Sequence, residues 1–488
     1  MTSTVASLSQ QLFRMTWPML IGLLAILSCQ LVDSAFIGQL GAKPLAAVGF
    51  SIPVYQLIIG IQVGLGIATT TIISTALGAD KQRYAKEFGV LVIGCGLVLI
   101  VIICLLLWQF QQSIVSTLGA DAQLYPLIGE YWFPWLISCG LGAMLHLGYS
   151  IFRAHGETFT PGMIMVLTSL INLVLDPVFI FVLDLGLSGA AWATCVAFAA
   201  GCLLLYLKIL QQQLICLPQS LMAITAGLRR LFSFTAPAML SQFIPPLSAM
   251  IATALVAFYG DTAVAAWGLA IRLEFFSLIA VLSLTMAMPP IIGRLRGNGD
   301  IDQIRLLVKI AVVFVAVWQL MVAAILYSAS IPLSQILTND ETVTLILREF
   351  LWVVPTSYSA LGICMIMVSV SSAMGMPSLA LIISALRLLA CYLPLLLIGS
   401  ELAGLNGLFI GAMAGNLLAG VMSWSLYRRF CIPSESALPG NLQPPARLPS
   451  HLQAINLPPT PTRRLKPSKA HRQQLHPHRI LLSIFSIN

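Results

Sequence analysis

A few charged side chains stand inside stretches of this sequence that are otherwise apolar, and each asks for a partner and a reason. They are Asp33, Asp176, Arg272, Glu274 and Arg387. At membrane depth an ionisable side chain costs several kcal/mol and marks an ion path, a relay or a ligand site. Asp33 sits late in the first apolar run, in Gln30-Leu31-Val32-Asp33-Ser34. It either faces a water-filled cavity between helices, open to a proton or Na⁺, or is a carboxylate near a helix end that reaches water. Asn172 and Asp176 are four residues apart, on one face of a helix and about a turn from each other. Pro177 follows directly and frees a carbonyl one turn back, at Leu173. A carboxylate, an amide oxygen and a loose carbonyl are hard oxygen ligands suited to Na⁺, and the same Asp can instead hold a proton. If Asp33 approaches Asp176, like-charge repulsion and burial raise the titration of one of the pair toward the working pH range. The other reading of Asp176 is a cap at a helix end. Pro18 in the first run is a kink site, which would couple the charge state of Asp33 to the shape of the cavity.

Arg272 and Glu274 are two apart and do not share a helix face. Glu274 either pairs with Arg387 across its half of the chain or touches substrate. His146 reads as a hydrogen-bonded packing residue, and Glu130 and Glu349 as interfacial. The cysteines are scattered without a CxxC pair and read as small buried hydrophobes. No Walker loop, zinc signature or nucleophile elbow is present, so the chain reads as a non-enzyme without cofactor, and its energy source must be an ion gradient.

The elements that position these residues are membrane helices. The 488 residues are 58% hydrophobic and only 9% charged, with mean hydropathy +0.94, whereas soluble domains carry about 25% charged residues. Twelve apolar runs are each long enough to cross roughly 30 Å of hydrocarbon: 15–36, 45–77, 88–110, 127–152, 161–183, 187–209, 235–258, 264–293, 306–329, 349–373, 378–398 and 404–428. Strand alternation is lacking, so the fold class is an all-α polytopic membrane protein.

Residues 13–156 overlay residues 232–375 without a gap, at a constant offset of 219 (232 − 13). Gly, Pro and acidic positions keep register: Pro18/Pro237, Gly41/Gly260, Gly78/Gly297, Asp121/Asp340, Glu130/Glu349 and Gly156/Gly375. Further on, Pro161 pairs with Pro377 and Gly186 with Gly404. Two copies of a six-helix unit, related by an axis along the membrane normal, enclose a site between them. Asp33 has Ala252 as its repeat mate, so duplication does not explain it.

The expected division is 1–210, a linker at 211–232, 233–430, and a disordered Pro-rich basic tail at 431–488. Lys and Arg set the orientation. One side carries Arg14, Lys81, Arg83, Lys86, Arg153, Lys208, Arg229, Arg230, Arg294, Arg296, Arg305, Lys309, Arg428 and Arg429, against Lys43 and Arg348 on the other. This places both termini in the cytoplasm and absorbs the net charge of +8 without nucleic acid. The first apolar run is retained as a helix, since Met1–Met15 makes a poor secretory leader.

These residues resemble the multidrug and toxic compound extrusion (MATE) family. The resemblance spans about residues 10–430. It rests on Pro18, on Val32-Asp33-Ser34-Ala35-Phe36-Ile37-Gly38-Gln39-Leu40-Gly41 and on Phe152-Arg153-Ala154-His155-Gly156-Glu157. Asn172-Leu173-Val174-Leu175-Asp176-Pro177 and Gly186-Leu187-Ser188-Gly189-Ala190-Ala191-Trp192-Ala193-Thr194 complete it. The Asn-to-Pro stretch and Arg272-Leu273-Glu274 are similar to the DinF-like branch. The resemblance implies two six-helix lobes around a V-shaped cleft, in a monomer of the bacterial inner membrane. It implies export of organic cations, amphiphilic drugs or toxic metabolites against H⁺ or Na⁺. The cation site it implies is Asp33, Asn172, Asp176 and Thr194, with Tyr131 in the same hydrogen-bonded network and Pro18 at a bend. The acid-rich second-lobe site of the NorM-like branch is not matched, which leaves Glu274, Arg272 and Arg387 as second-lobe polar contacts. The alternative is a lipid-linked oligosaccharide flippase of the same superfamily, which calls for a more basic cavity.

Overall fold

The computed structural model describes residues 2–119 and 121–431, and the expected tail beyond Cys431 lies outside the described residues. Those described are helical almost throughout, without a strand. The first six crossings are α1 (Thr2–Gln39), α2 (Ala42–Gly78), α3 (Gln82–Gln109), α4 (Tyr125–Ala154), α5 (Phe159–Pro177) and α6 (Gly186–Gln211). A π-helical turn, Val178–Val182, prolongs α5. The second six begin with α7 (Leu221–Ala257), α8 (Asp261–Ser277 and Ile279–Asn298) and α9 (Ile301–Ser328). They end with α10 (Glu341–Ala373), α11 (377–402) and α12 (405–430).

Among the described residues eleven helices are long and apolar enough to span a membrane, and the last of them, Pro377–Phe430, has 54 residues. Straight, it would measure about 80 Å, against about 30 Å of hydrocarbon. It folds back at Ala403 (φ −142°) and Gly404 (φ 59°), which yields the twelve expected crossings. In α8 the break at Leu278 leaves the Ser277 carbonyl to be met by Gln319 Nε2 of α9 at 3.0 Å.

The repeat is written into the backbone. α1 starts at Thr2 and α7 at Leu221, again 219 apart. The short surface helix Gln111–Thr117 has its counterpart in Ser330–Leu337. Mated glycines take the same left-handed conformations: Gly41 and Gly260 (φ 113° and 97°), Gly156 and Gly375 (84° and 77°), Gly186 and Gly404 (53° and 59°). A Cβ would be strained at each.

The long α7 corrects one expectation. Residues 221–232 are not linker; they are the foot of a helix, and α1 has the same foot below Met15. Both were hidden by their polar residues. The two feet are exchanged. Leu8, Leu12 and Met15 of α1 are buried in the core of the second lobe with Met288, Ile304 and Val308. Leu231 of α7, the repeat mate of Leu12, is buried in the first-lobe core with Phe88 and Leu205. Burying such side chains from water contributes about 1.5–3 kcal/mol each.

The lobes also cross directly, α2 over α8, near the end rich in Lys and Arg. A Cβ on Gly78 would strike the Arg294 carbonyl, and one on its mate Gly297 would strike that of Thr75, the mate of Arg294. Ser74 and Gly293, mates as well, touch each other, so the pseudo-two-fold axis passes between them. Arg294 then reaches over to donate to the His155 carbonyl of the α4–α5 loop. Interlobe contacts of α2 continue up to Gly60 against Phe243, whereas Gly49 and its mate Gly268 have open space at the Cβ position. The two lobes form a V, joined at the basic end.

Gly297→Val should therefore wedge α2 from α8 at a cost of about 1–3 kcal/mol, the usual penalty of overpacking. Thermal melting of purified protein in detergent checks this: the midpoint should fall for Gly297→Val and stay put for Gly49→Ala.

Candidate functional site

The first lobe brings its acids together through α1 and α5, which run parallel and in register. Pro18 and Gly22 make the close approach possible. A Cβ on Gly162 of α5 would strike the Pro18 carbonyl, and one on Gly22 would lie 2.8 Å from Met165 Sδ. Such small residues let membrane helices pack backbone to backbone. Two turns further along, Cys29 Sγ donates to the Ser169 carbonyl (3.4 Å) and to Asn172 Oδ1 (3.3 Å), across 140 and 143 residues of sequence. One turn further still, the same register sets Asp33 opposite Asp176.

The carboxyl groups of Asp33 and Asp176 lie within hydrogen-bond reach of each other. Asp176 is fully buried and Asp33 half-buried. Asn172 Nδ2 donates to Asp176 Oδ1 at 2.7 Å. The other oxygen, Oδ2, receives no N–H or O–H from a described residue. Two carboxylates have no proton to share; a hydrogen bond between them requires that one be protonated. Cys29 Sγ adds a long contact to Asp33 Oδ1, at 3.7 Å.

The remaining expectations sort as follows. Thr194 joins at the margin: its hydroxyl is 3.5 Å from Asn172 Nδ2 and donates to the Ala190 carbonyl at 3.0 Å. Tyr131 is buried in α4, stacked on Trp135 and within electrostatic reach of Asp33. It forms no hydrogen bond with the cluster, so the expected network stops short of it. The Leu173 carbonyl, expected to be loose, accepts no hydrogen bond from the cluster; the Ser169 carbonyl, one turn back, accepts from Cys29. Cys29 was missed by sequence reasoning, although its place four residues before Asp33 was the available signal. Pro18 lines a cavity of about 380 Å³ with Arg14, Trp17, Glu157 and Arg294, which leaves room beside the bend.

In the second lobe Glu274 of α8 faces the Tyr358 hydroxyl of α10 and feels the Arg387 guanidinium of α11. No ion pair within 4.0 Å joins Glu274 to Arg387, so the expected pair is not closed. Arg387 opens a π-helical turn that runs to Tyr392, and such turns are frequent at functional sites. Arg272 is exposed. The ring of His146 packs on Gly66 with no hydrogen bond of its own, against expectation.

Comparison with known proteins agrees with this architecture. The MatE family model matches residues 18–178 and 237–398, one match per lobe. A "FAD transporter" of Shewanella oneidensis is 31% identical over 437 residues, covering 88% of this chain and 97% of that protein. The multidrug export protein MepA of Staphylococcus aureus is 25% identical over 397 residues, 80% of this chain and 87% of its own. The crystal structure of the Vibrio cholerae MATE transporter VcmN in the bent form superposes with TM-score 0.86 at 50% identity, over 88% of this chain and 98% of that one. With its twelve helices in two lobes, this integral membrane protein belongs to the MatE family of transporters.

Proposed function

We propose that this transporter exports amphiphilic organic cations, drugs or toxic metabolites in exchange for protons, and that Asp33 and Asp176 hold the exchanged proton. What supports this is the pair of acids brought within reach of each other in the first lobe, with Asn172 Nδ2 donating to Asp176 Oδ1 at 2.7 Å. The pair stores one proton with little room for two charges. Losing that proton sets two like charges side by side in a low dielectric, and the lobe must admit water, a cation or a movement of α1 in response. Pro18 is where α1 can bend.

A proton suits the geometry better than Na⁺. Asn172 turns its amide nitrogen toward both Asp176 and Thr194, and its oxygen toward Cys29. A Na⁺ site made of Asp33, Asn172, Asp176 and Thr194 would need that oxygen facing the acids. The positive-inside rule puts the joined, basic end in the cytoplasm, so the cleft opens outward in this state. The match of the Asn172–Pro177 stretch to the DinF-like branch supports the same N-lobe coupling.

A second reading concerns the cargo. The 31% identical relative carries FAD by name, and the second lobe here offers the unclosed Arg387. Both favour flavin-bearing molecules among the substrates. The flippase alternative asks for a strongly basic cavity, and Arg272 is turned to the outside.

Two measurements test the coupling. In infrared spectra near neutral pH, the C=O stretch of a protonated carboxylic acid should be present in the wild type and absent from both Asp33→Asn and Asp176→Asn. In everted vesicles, either substitution should cut proton-driven ethidium transport at least about tenfold, the order of one lost hydrogen bond to a charged group, while added sodium changes nothing. Undiminished gradient-driven transport in both variants would sink the proposal.

A further inference from the structure

The cavity of about 380 Å³ beside Pro18 has a lining that neither the repeat nor the proton pair accounts for. Three of its residues are charged: Arg14, Glu157 and Arg294. Arg14 comes from the foot of α1, Glu157 from the loop between α4 and α5, and Arg294 from α8. All three stand at one level. Arg14 immediately precedes the apolar run 15–36, Arg294 immediately follows the run 264–293, and Glu157 lies between the runs 127–152 and 161–183. That is where hydrocarbon gives way to headgroups, at the end rich in Lys and Arg. The repeat mates of Arg14 and Arg294 are Ser233 and Thr75, so duplication supplies no second copy of this charge pattern.

The charges share the cavity without neutralising one another. Among the described residues no ion pair within 4.0 Å joins Glu157 to either arginine. Glu157 accepts from the Thr160 hydroxyl. Arg294 donates one amino group to the His155 carbonyl, and its Nε has no acceptor among the described residues. Arg14 is exposed. Much of the remaining wall is apolar, and its rim is aromatic: the rings of Trp17 and Phe159 lie 6.2 Å apart, 38% and 54% exposed. Exposed aromatic rings at this level belong against lipid, as in the aromatic belts of membrane proteins. The volume falls within the range of small-molecule sites, about 300–1,000 Å³.

We propose that this cavity binds the headgroup of an aminophospholipid, a phosphate with a primary ammonium on a short tether. The phosphate sits between Arg14 and Arg294, whose guanidinium forks match its oxygens. The ammonium turns to Glu157, and the acyl chains leave past Trp17 and Phe159. Basic pockets between helices at this level suit lipid phosphates in general; the carboxylate narrows the choice. A headgroup that is only anionic would set its charge against Glu157, and a trimethylated amine has no N–H to donate. The wall draws on both lobes, since Arg14 and Arg294 belong with the second and Glu157 with the first. A seated headgroup therefore ties the lobes together at the basic end and fills the room beside Pro18. Binding of this kind favours the present state over one in which that end opens.

The test is lipid retention by the purified full-length transporter in detergent, read by native mass spectrometry without any gradient. The probes are dioleoyl phosphatidylethanolamine, phosphatidylglycerol and phosphatidylcholine at equal mole fraction, and soluble O-phosphoethanolamine. The wild type should retain the ethanolamine lipid about tenfold over the other two, the order of one lost hydrogen bond to a charged group. Glu157→Gln, which still offers Thr160 an acceptor, should bring the ethanolamine and choline lipids to parity. Arg14→Gln should lower retention of the ethanolamine lipid about tenfold, and Arg14→Lys should restore most of it. Equal retention of the three lipids by the wild type, a preference for phosphatidylglycerol, or unchanged retention in Arg14→Gln would each overturn the proposal. So would soluble O-phosphoethanolamine binding as tightly as the lipid, since the site would then serve a free metabolite. A Glu157→Gln protein that merely folded less well would lose all lipids alike and keep their ratios, which also counts against it. Neither cargo nor proton movement is read, so the outcome is independent of how Asp33 and Asp176 act.

Discussion

Two carboxyl groups pressed together away from water cannot both be charged, and much of this structure serves to press Asp33 on Asp176. The attraction between them exists only while they share a proton. Nothing in the pair itself keeps it closed once that proton leaves. The holding force comes from elsewhere: the glycine-lined approach of α1 to α5, and the amide of Asn172, which fixes one Asp176 oxygen and leaves the other without a donor. A site of this kind is stable in one protonation state and strained in the other. In the proposed exchange, that difference is the free energy a proton gradient acts upon.

The scaffold around the pair is symmetric to a degree that the chemistry is not. Foot helices, left-handed glycines, surface helices and the Ser74–Gly293 contact on the axis all obey one repeat. Serine hydroxyls do too: Ser138 donates to Trp135 and its mate Ser357 to Val354, both at 2.7 Å. Against that background the exceptions stand out. Asp33 answers to Ala252, and Glu274 to Tyr55. One lobe holds paired acids and the other an acid, an arginine and two phenols. A symmetric frame allows two lobes to rock about one axis, and asymmetric contents let proton and cargo bias that motion from different sides.

The sequence made the fold class, the duplication and the Asp33–Asp176 encounter legible, because each leaves a local mark: apolar length, glycines in register, a carboxyl where lipid forbids one. What it hid depends on tertiary contact. The feet of α1 and α7 carry polar residues and read as loop, though Leu12 and Leu231 bury themselves in the opposite lobe. Cys29 looked like inert packing, yet its thiol bridges α1 to Asn172 and Ser169. The Glu274–Arg387 pairing failed in the opposite way: opposite charges in one lobe suggest a closed bridge, and only coordinates reveal that the two stay apart.

The exchanged feet give the bend at Pro18 a physical meaning that the kink alone lacks. Below Pro18, α1 belongs to the second lobe, through Leu8, Leu12 and Met15. Above it, α1 belongs to the first, through Gly22, Cys29 and Asp33. Proline removes one helical hydrogen bond at that junction, and the cavity beside it leaves space for movement. A change in the force between Asp33 and Asp176 pulls on the upper segment while the foot is held by the other lobe, so the strain falls on the junction. In the proposed coupling, local proton chemistry becomes a torque between lobes, with no relay of intervening residues required. Pro237 occupies the same station on α7, but Ala252 stands where the acid would be. The second hinge is built like the first, and only the first has a charge to drive it.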